Sequence, residues 1–254
     1  MNGRSTRPRS CIASRPKPRG AEDRHHAGRS GRGAGDAGQG RNDGGRDPRD
    51  RGAHPLEGKL DNLDLIEAAG YRLVALQHFF DNELGGSLHG IGDQGLTEFG
   101  RTVVAQVEKR GMILDVAHSS PQVARDVLAM TKMPIVVSHT GIHSFCANKR
   151  NFPDDLMQAI AATGGVIGIG YWDEVTCGDF TPGNIAKMVK AAIAVVGEDH
   201  VSLGSDFDGS VETAFDTSEL PALTSALLDQ GLSEAQVRKV MGENMLRVLQ
   251  ARLK

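Results

Sequence analysis

Two histidines each end an apolar stretch of the chain and stand 21 positions apart. His118 ends GMILDVAH, which begins at Gly111, and His139 ends PIVVSH. Asp206 ends a third such stretch, HVSLGSD. Neutral imidazole is a common ligand of Zn²⁺, and carboxylates assist at metal centres. A single histidine at a strand end is more often a hydrogen-bonded structural residue, but the histidine pair followed by an aspartate favours a metal site.

Strands and helices must alternate to place these side chains. Three helix starts are strong: Ser120 before Pro121, Thr181 before Pro182, and a capping box at Ser233. The capping box opens the second of the two helices that we expect to close the chain. The pattern predicts five strands that each end in a polar residue. These strand ends are His78, His118, His139, the segment 171–173 and Asp206. Such alternation predicts parallel strands with helices packed outside them.

A TIM-barrel type of fold explains polar residues at every strand end. In a (β/α)₈ barrel the active site lies at the carboxyl ends of the strands, so His118 and His139 would face one cavity from adjacent strands. The alternative is a doubly wound open sheet, but its ligand site lies at a single switch point. A barrel needs about 250 residues, and only about 200 follow Ala53. We therefore predict an incomplete (β/α)₈ fold of the α/β class, with about five of eight β/α units.

The first 53 residues have a composition unlike the rest. They contain no Leu, Val, Phe, Tyr or Trp, but 12 Arg and 11 Gly. Their 13 basic and 6 acidic residues give +7, whereas the 16 basic and 26 acidic residues that follow give −10. Such a segment cannot bury enough apolar surface to offset its ordering entropy. We predict that residues 1–53 are disordered and that residues 54–254 form the folded domain.

Three interpretations of residues 1–53 remain open. They form a flexible solvated tail, a basic arm that touches nucleic acid, or a frame-shifted translation of a G/C-rich gene. The segment has no aromatic residue to stack on bases, which weakens the second interpretation. The abrupt change between Gly52 and Leu56 favours the third. We expect no nucleic-acid partner.

The bulk composition also bears on the compartment. No run of about 18 apolar residues predicts a membrane span, and no apolar stretch after Met1 resembles a secretory signal. The cysteines at 11, 146 and 177 show no C-x-x-C spacing. This odd, scattered set argues against disulfides and favours a reducing compartment. We expect a cytoplasmic protein and leave a homodimer open.

The motifs together resemble the membrane (renal) dipeptidase family of zinc-dependent (β/α)₈ hydrolases. The resemblance runs from about Gly52 to Leu253 and rests on GLTEFGR, GMILDVAHSS, PIVVSH, KRNFPDD, GSDFDG and GENMLRVL. It implies hydrolysis of dipeptides by a water that bridges two Zn²⁺ ions about 3.5 Å apart.

The resemblance also implies a role for each candidate residue. His118 and His139 match the histidine ligands of one zinc. His78 matches a histidine that contacts the substrate near the scissile bond. Arg150, which by itself suggests only a surface charge, matches the arginine that holds the substrate's C-terminal carboxylate. Asp206 matches an acid that shuttles a proton or holds the substrate amine.

The chain departs from the family pattern before Leu56. The family binds its other metal with an H-x-D pair near the N-terminus, and no H-x-D occurs here before Leu56. The place of the family's bridging glutamate holds Arg51. We therefore expect ligands for one zinc at most and an impaired dipeptidase. The alternatives are a non-catalytic remnant and another TIM-barrel metal hydrolase, an amidohydrolase or a phosphoesterase.

Overall fold

Five parallel strands form one sheet in which each strand pairs with the next along the chain. The computed structural model describes residues 52–92 and 94–253. The strands are β1 (Leu73–Ala75), β2 (Ile113–Asp115), β3 (Val136–Thr140), β4 (Val166–Ile169) and β5 (Val201–Leu203). The order β1-β2-β3-β4-β5 confirms the predicted α/β class with about five β/α units. The predicted disorder of residues 1–53 concerns positions that, up to Arg51, lie outside the described residues.

Nine helices surround the sheet in the described ranges. They are α1 (Asn62–Ala68), α2 (Glu98–Lys109), α3 (Pro121–Met130), α4 (Asp154–Ala162), α5 (Asp173–Thr176), α6 (Pro182–Val196), α7 (Leu220–Asp229), α8 (Glu234–Arg238) and α9 (Asn244–Arg252). The predicted caps are confirmed, since Ser120 accepts a hydrogen bond from the Val123 amide and Ser233 forms a capping box with Gln236. No helix in these ranges is both long and apolar enough to cross a bilayer.

The predicted second closing helix is interrupted. A π-helical turn, Lys239–Glu243, separates α8 from α9.

The strands are also shorter than predicted. For example, β2 ends three residues before His118. The Asp115 side chain accepts a hydrogen bond from the Ala117 amide at 3.0 Å, which turns the backbone away from the ladder. His118 therefore lies on the loop that follows its strand.

The sheet curves tightly at its carboxyl end. A Cβ atom at Gly168 would lie 2.1 Å from the Ser138 carbonyl oxygen, and one at Gly204 would lie 2.3 Å from the same oxygen. Only glycine allows the backbones of β3, β4 and β5 to approach so closely. The strand ends that carry the candidate residues are therefore drawn together, as in the wall of a barrel.

Helix α9 closes the opposite end of the sheet. Its apolar face packs Val248 against Ile113, Val136 and Val166, which are fully buried. Three of its side chains donate to backbone carbonyls at or before the strands. These bonds run from Arg252 to Met112 at 2.7 Å, from Arg247 to Gly164 at 2.8 Å, and from Asn244 to Val201 at 2.8 Å. The amino end of the sheet is thereby sealed.

The expectation of unpaired cysteines was wrong. Cys146 and Cys177 form a disulfide, 31 residues apart in sequence. It joins the loop after β3 to the end of α5, and the Asn151 amide group adds hydrogen bonds to the Cys146 and Val175 carbonyls. Spacing alone missed this pair because the fold, not the sequence, brings the two positions to a Cα separation of 5.6 Å. The cysteine argument for a reducing compartment therefore loses its basis.

Candidate active site

His118 and His139 meet at the carboxyl end of the sheet. Their Nε2 atoms lie 2.9 Å apart, and their ring centroids are separated by 4.8 Å. His139 lies within β3 and His118 on the loop after β2, so adjacent strands deliver both rings to one place. Two nitrogens bound to one zinc at about 2.1 Å cannot be more than about 4.2 Å apart. The observed separation satisfies that limit.

The surroundings keep His118 neutral. Its ring is largely buried, and burial is the main cause that lowers its pKa far below the ordinary value. The positive charge of Arg150 and the neighbouring histidines lower this pKa further. Metal binding requires the unprotonated nitrogen of a neutral imidazole. His118 is therefore in the charge state of a ligand.

Arg150 is buried beneath this pair, not on the surface. Its guanidinium donates to the Ala117 carbonyl at 3.0 Å and the His139 carbonyl at 2.8 Å, which links the ends of β2 and β3. The guanidinium carbon also lies 5.3 Å from the centre of the Trp172 ring. Burial lowers the pKa of Arg150 to about 10, so the group stays positive at neutral pH. A fixed cation thus lies beside the neutral imidazole of His118.

Asp206 approaches the pair from the loop after β5. Its Oδ2 atom lies 3.9 Å from His139 Nε2. Its backbone φ of 55° places it in the left-handed region, where a non-glycine residue is held only by its surroundings. A Cβ atom at Gly209 would lie 2.2 Å from the Asp206 carboxyl carbon, so the glycine leaves space for this carboxylate. The loop conformation therefore aims the acid at the histidines.

His78 completes the cluster from the loop after β1. Its ring centroid lies 4.7 Å from that of His118, and the side chain is almost fully buried. A small cavity of about 40 Å³ opens among these groups. Its walls are His78, Phe79, His89, His118, Arg150, Trp172, Glu174, Asp206, Gly209 and Val211. The structure thus gathers all five predicted residues, His139 lying directly against His118.

Three wall residues were missed by the sequence argument. The sequence pattern does not single out His89, yet its ring centroid lies 5.7 Å from that of His118. Burial lowers the pKa of His89, and Arg150 lowers it further. Trp172 belongs to the segment 171–173, which was predicted only as a polar strand end, and Glu174 follows it in α5. A glycine-rich loop carries His89, and no periodic pattern signals where such a loop folds back.

Asp115 lies behind the histidines and outside the cavity. Its carboxylate is 3% exposed and accepts hydrogen bonds from the Ala117 and Ser138 amides, each at 3.0 Å. Burial raises the pKa of Asp115, although hydrogen bonds from Ser138 and Ala117 and the charge of Arg150 oppose the rise. This acid cannot face a substrate. It contacts the site only through its neighbours.

The donor set fits a metal ion in part. The two Nε2 atoms suit neighbouring positions on one divalent ion. Within residues 52–92 and 94–253, no group of three or more His, Cys, Asp or Glu side chains is placed to hold a metal. The described residues therefore bring together two potential ligands, both histidine nitrogens.

Comparisons with known proteins identify the family of the chain. Residues 50–253 match the model of the membrane dipeptidases, peptidase family M19. A dipeptidase of Aspergillus oryzae, aclJ, is 34% identical over 209 residues, which cover 77% of this chain and 49% of that protein. A second dipeptidase, verJ of Clonostachys rogersoniana, is 33% identical over 71% of this chain and 48% of its own length. The chain thus spans about half the length of these curated relatives.

Solved structures share the fold. A Rhodobacter sphaeroides metallopeptidase, bound to a phosphinate mimic of the dipeptide L-Ala-D-Ala, is 28% identical with a TM-score of 0.70. The match covers 79% of this chain and 61% of that one. An amidohydrolase of Pseudomonas aeruginosa is 26% identical with a TM-score of 0.71, over 79% and 70% of the two chains.

Proposed function

Because this chain belongs to the membrane dipeptidase family, peptidase family M19, we propose that its site binds small peptides and hydrolyses them with the help of a metal ion. The convergence of the His118 and His139 Nε2 atoms at 2.9 Å, beside Arg150 and Asp206, is the observation that carries the proposal. The solved relative with a bound dipeptide mimic supports a dipeptide as the substrate class.

Arg150 would bind the substrate's C-terminal carboxylate. Two of its guanidinium N–H groups are committed to the Ala117 and His139 carbonyls, and a guanidinium carries five N–H groups. The remaining donors and the positive charge suit a carboxylate inside the cavity. Trp172, which lies over the guanidinium, keeps the planar group in place.

Asp206 and His78 would serve the reacting bond. The Asp206 carboxylate can accept a proton from the attacking water and return it to the departing amine, as a general base and then a general acid. The distance of 3.9 Å between its Oδ2 atom and His139 Nε2 supports this role. His78 lies on the same cavity wall, and we propose that it contacts the carbonyl of the bond that breaks.

His118 and His139 would hold one Zn²⁺. When bound, zinc supplies a Lewis acid and lowers the pKa of a coordinated water to about 7. The family model implies a metal-dependent enzyme, and we propose that the described residues retain ligands for one of two zinc ions at most. The lack of a third grouped ligand in the described ranges supports weak zinc binding and therefore impaired hydrolysis. The alternative is a non-catalytic chain that keeps the fold.

The test measures bound zinc and peptide cleavage together in the purified chain. We expect substoichiometric zinc and slow, zinc-dependent cleavage of L-Ala-D-Ala and L-Ala-L-Ala. The C-terminal amide of L-Ala-L-Ala is the matched control, since it lacks the carboxylate that Arg150 would bind. Two zinc ions per chain with rapid turnover would contradict the impairment. No cleavage at any zinc concentration would leave the non-catalytic alternative.

A further inference from the structure

We propose that Glu174 is a specificity residue that makes this cavity prefer dipeptides with a basic C-terminal residue. Its carboxylate would attract the side-chain cation of a lysine or arginine at that end of the substrate. The inference deepens the proposed function and rests on it, because it takes Arg150 as the group that binds the C-terminal carboxylate. Its basis is the position of an acidic side chain in the wall of the candidate active site.

Glu174 lies in the cavity wall and is open to solvent. It shares that wall with Arg150, Trp172 and Asp206, and α5 presents it from its first turn. The residue is exposed, whereas Arg150 is buried. In the described part of the chain, no side chain forms an ion pair with the Glu174 carboxylate. Its charge is therefore available to a ligand that enters the cavity.

The backbone of Glu174 is fixed to the loop that carries Arg150. The side-chain amide of Asn148 donates to the Glu174 carbonyl, and that of Asn151 donates to the next carbonyl, Val175, at 3.0 Å. The disulfide joins the same two segments. These links hold the acid and the guanidinium in one frame. They use the backbone of Glu174, so a change of its side chain leaves the frame intact.

The charge of Glu174 acts on the groups that line the cavity. Burial lowers the pKa values of Arg150 and His89, and the negative charge of Glu174 opposes the lowering in both. Among the acids that act on Arg150 in this way, Glu174 has the largest effect, ahead of Asp206 and Asp115. The Glu174 carboxylate therefore influences the region where Arg150 would hold the carboxylate of a peptide.

The two acids of the wall would meet different parts of a dipeptide. Asp206 lies 3.9 Å from His139 Nε2, on the side of the reacting bond. Glu174 acts on Arg150, at the C-terminal end of the substrate. A group at that end meets the C-terminal side chain, because this side chain and the bound carboxylate branch from the same carbon. An acid in that position attracts a side-chain cation and repels a second carboxylate.

The N-terminal ammonium of the substrate is the alternative partner of Glu174. The scissile bond separates this ammonium from the C-terminal carboxylate, so a peptide held by Arg150 directs its ammonium away from Arg150 and toward Asp206. We therefore assign Glu174 to the C-terminal side chain. The two assignments differ in a measurable way, because an acid that binds the ammonium favours every dipeptide equally.

Equilibrium binding of a matched peptide series tests the preference. L-Ala-L-Lys differs from L-Ala-L-norleucine by the ammonium group of its side chain, and L-Ala-L-Glu carries the opposite charge. Calorimetric titration of the full chain in the presence of a chelator prevents metal-dependent cleavage. We expect the lysine peptide to bind about two- to fivefold more tightly than the norleucine peptide, the factor typical of partly exposed ion pairs. The glutamate peptide should bind more weakly than either, and salt should reduce both differences.

Three variants assign the preference to Glu174. Glu174→Gln should bring the ratio of lysine-peptide to norleucine-peptide affinity to about one, and Glu174→Lys should favour the glutamate peptide. Glu212→Gln is the matched control, since Glu212 is an exposed acid that adjoins the wall residue Val211 but is not part of the wall. This control should keep the wild-type ratio. A wild-type ratio of one would overturn the proposal. A Glu174→Gln variant that weakens both peptides equally would also overturn it, because Glu174 would then bind the ammonium.

Binding and hydrolysis separate this inference from the proposed function. The affinity ratio is measured without metal, so a chain that shows the ratio but cleaves no peptide with zinc would contradict the proposed hydrolysis and leave the inference standing. Cleavage of the peptides with a ratio of one would do the reverse. Binding of none of the three peptides would contradict both.

Discussion

The two ends of the sheet use polar side chains in opposite ways. At the amino end, Arg252, Arg247 and Asn244 of α9 each donate to a backbone carbonyl. At the carboxyl end, His118 and His139 face each other, and Nδ1 of His118 is buried with no hydrogen-bond partner in the described part of the chain. Barrel enzymes commonly place stability at one end of the strands and chemistry at the other. Polar side chains at the amino end of the sheet thus bind backbone groups, whereas those at the carboxyl end gather in a candidate active site.

The first prediction tests whether α9 stabilises the amino end of the sheet. Val248→Asp should cost about 3–5 kcal/mol of unfolding free energy, because it buries an unpaired charge among Ile113, Val136 and Val166. Urea denaturation of the metal-free chain measures this loss. Leu246→Asp on the same helix, where the side chain is 51% exposed, should stay within about 0.5 kcal/mol of wild type. Equal losses in both variants would show that α9 does not seal the core.

At the carboxyl end a substitution should leave stability intact and remove binding. His118→Phe removes a buried nitrogen that lacks a partner, so the metal-free chain should be as stable as wild type or more stable. Zinc affinity should fall by more than the factor of about 10–100 that loss of a residue behind a metal ligand commonly causes. Chelator competition and urea denaturation give the two values. His143→Phe, at an exposed position, is the control, and a similar zinc loss there would argue against the assignment of His118.

Two buried arginines, one at each end of the sheet, can be compared directly because both donate to backbone carbonyls. Arg252→Met and Arg150→Met should each lower the unfolding free energy by about 1–3 kcal/mol, since carbonyl groups lose charged donors. Only Arg150→Met should also weaken the binding of a peptide with a free C-terminal carboxylate. Calorimetric titration with L-Ala-L-Ala and its amide separates the two effects. Equal peptide affinity in the two variants would make Arg150 purely structural.

The smallest expected effect is a pH dependence at the amino end. The Lys239 ammonium lies 2.6 Å from Glu198 and 2.7 Å from Asp199, and its hydrogen bonds lower the pKa of both carboxyls. A lowered carboxyl pKa stabilises the fold above the ordinary pKa and loses that effect as the pH falls through the lowered value. The stability difference between wild type and Lys239→Met should therefore be present near pH 7 and vanish toward about pH 2.

Urea midpoints at several pH values measure this difference. Lys132→Met, at an exposed position outside this ion-pair cluster, is the matched control and should show no pH-dependent difference. A difference between wild type and Lys239→Met that grows as the pH falls would contradict the assignment.

The sequence predicted what periodicity and spacing can specify. Alternating apolar strands and capped helices predicted the parallel order, and strand ends placed His118, His139 and Asp206 at one edge. The carbonyl contacts of Arg150 and the position of His89 depend on loops, whose folding leaves no periodic signal. The disulfide was missed for the same reason, because Cys146 and Cys177 come together only when α5 packs beside the loop after β3.

The hydrogen bond between Arg252 and Met112 has a consequence for assembly during synthesis. Each strand pairs with its neighbour in sequence, so β/α units can add one after another as the chain leaves the ribosome. The Arg252 bond instead spans 140 residues. Contacts of such separation form late, because a long loop must close first. The strands β2 and β3 therefore bring the histidine pair together early, whereas the opposite end of the sheet stays open until Arg252 has been synthesised.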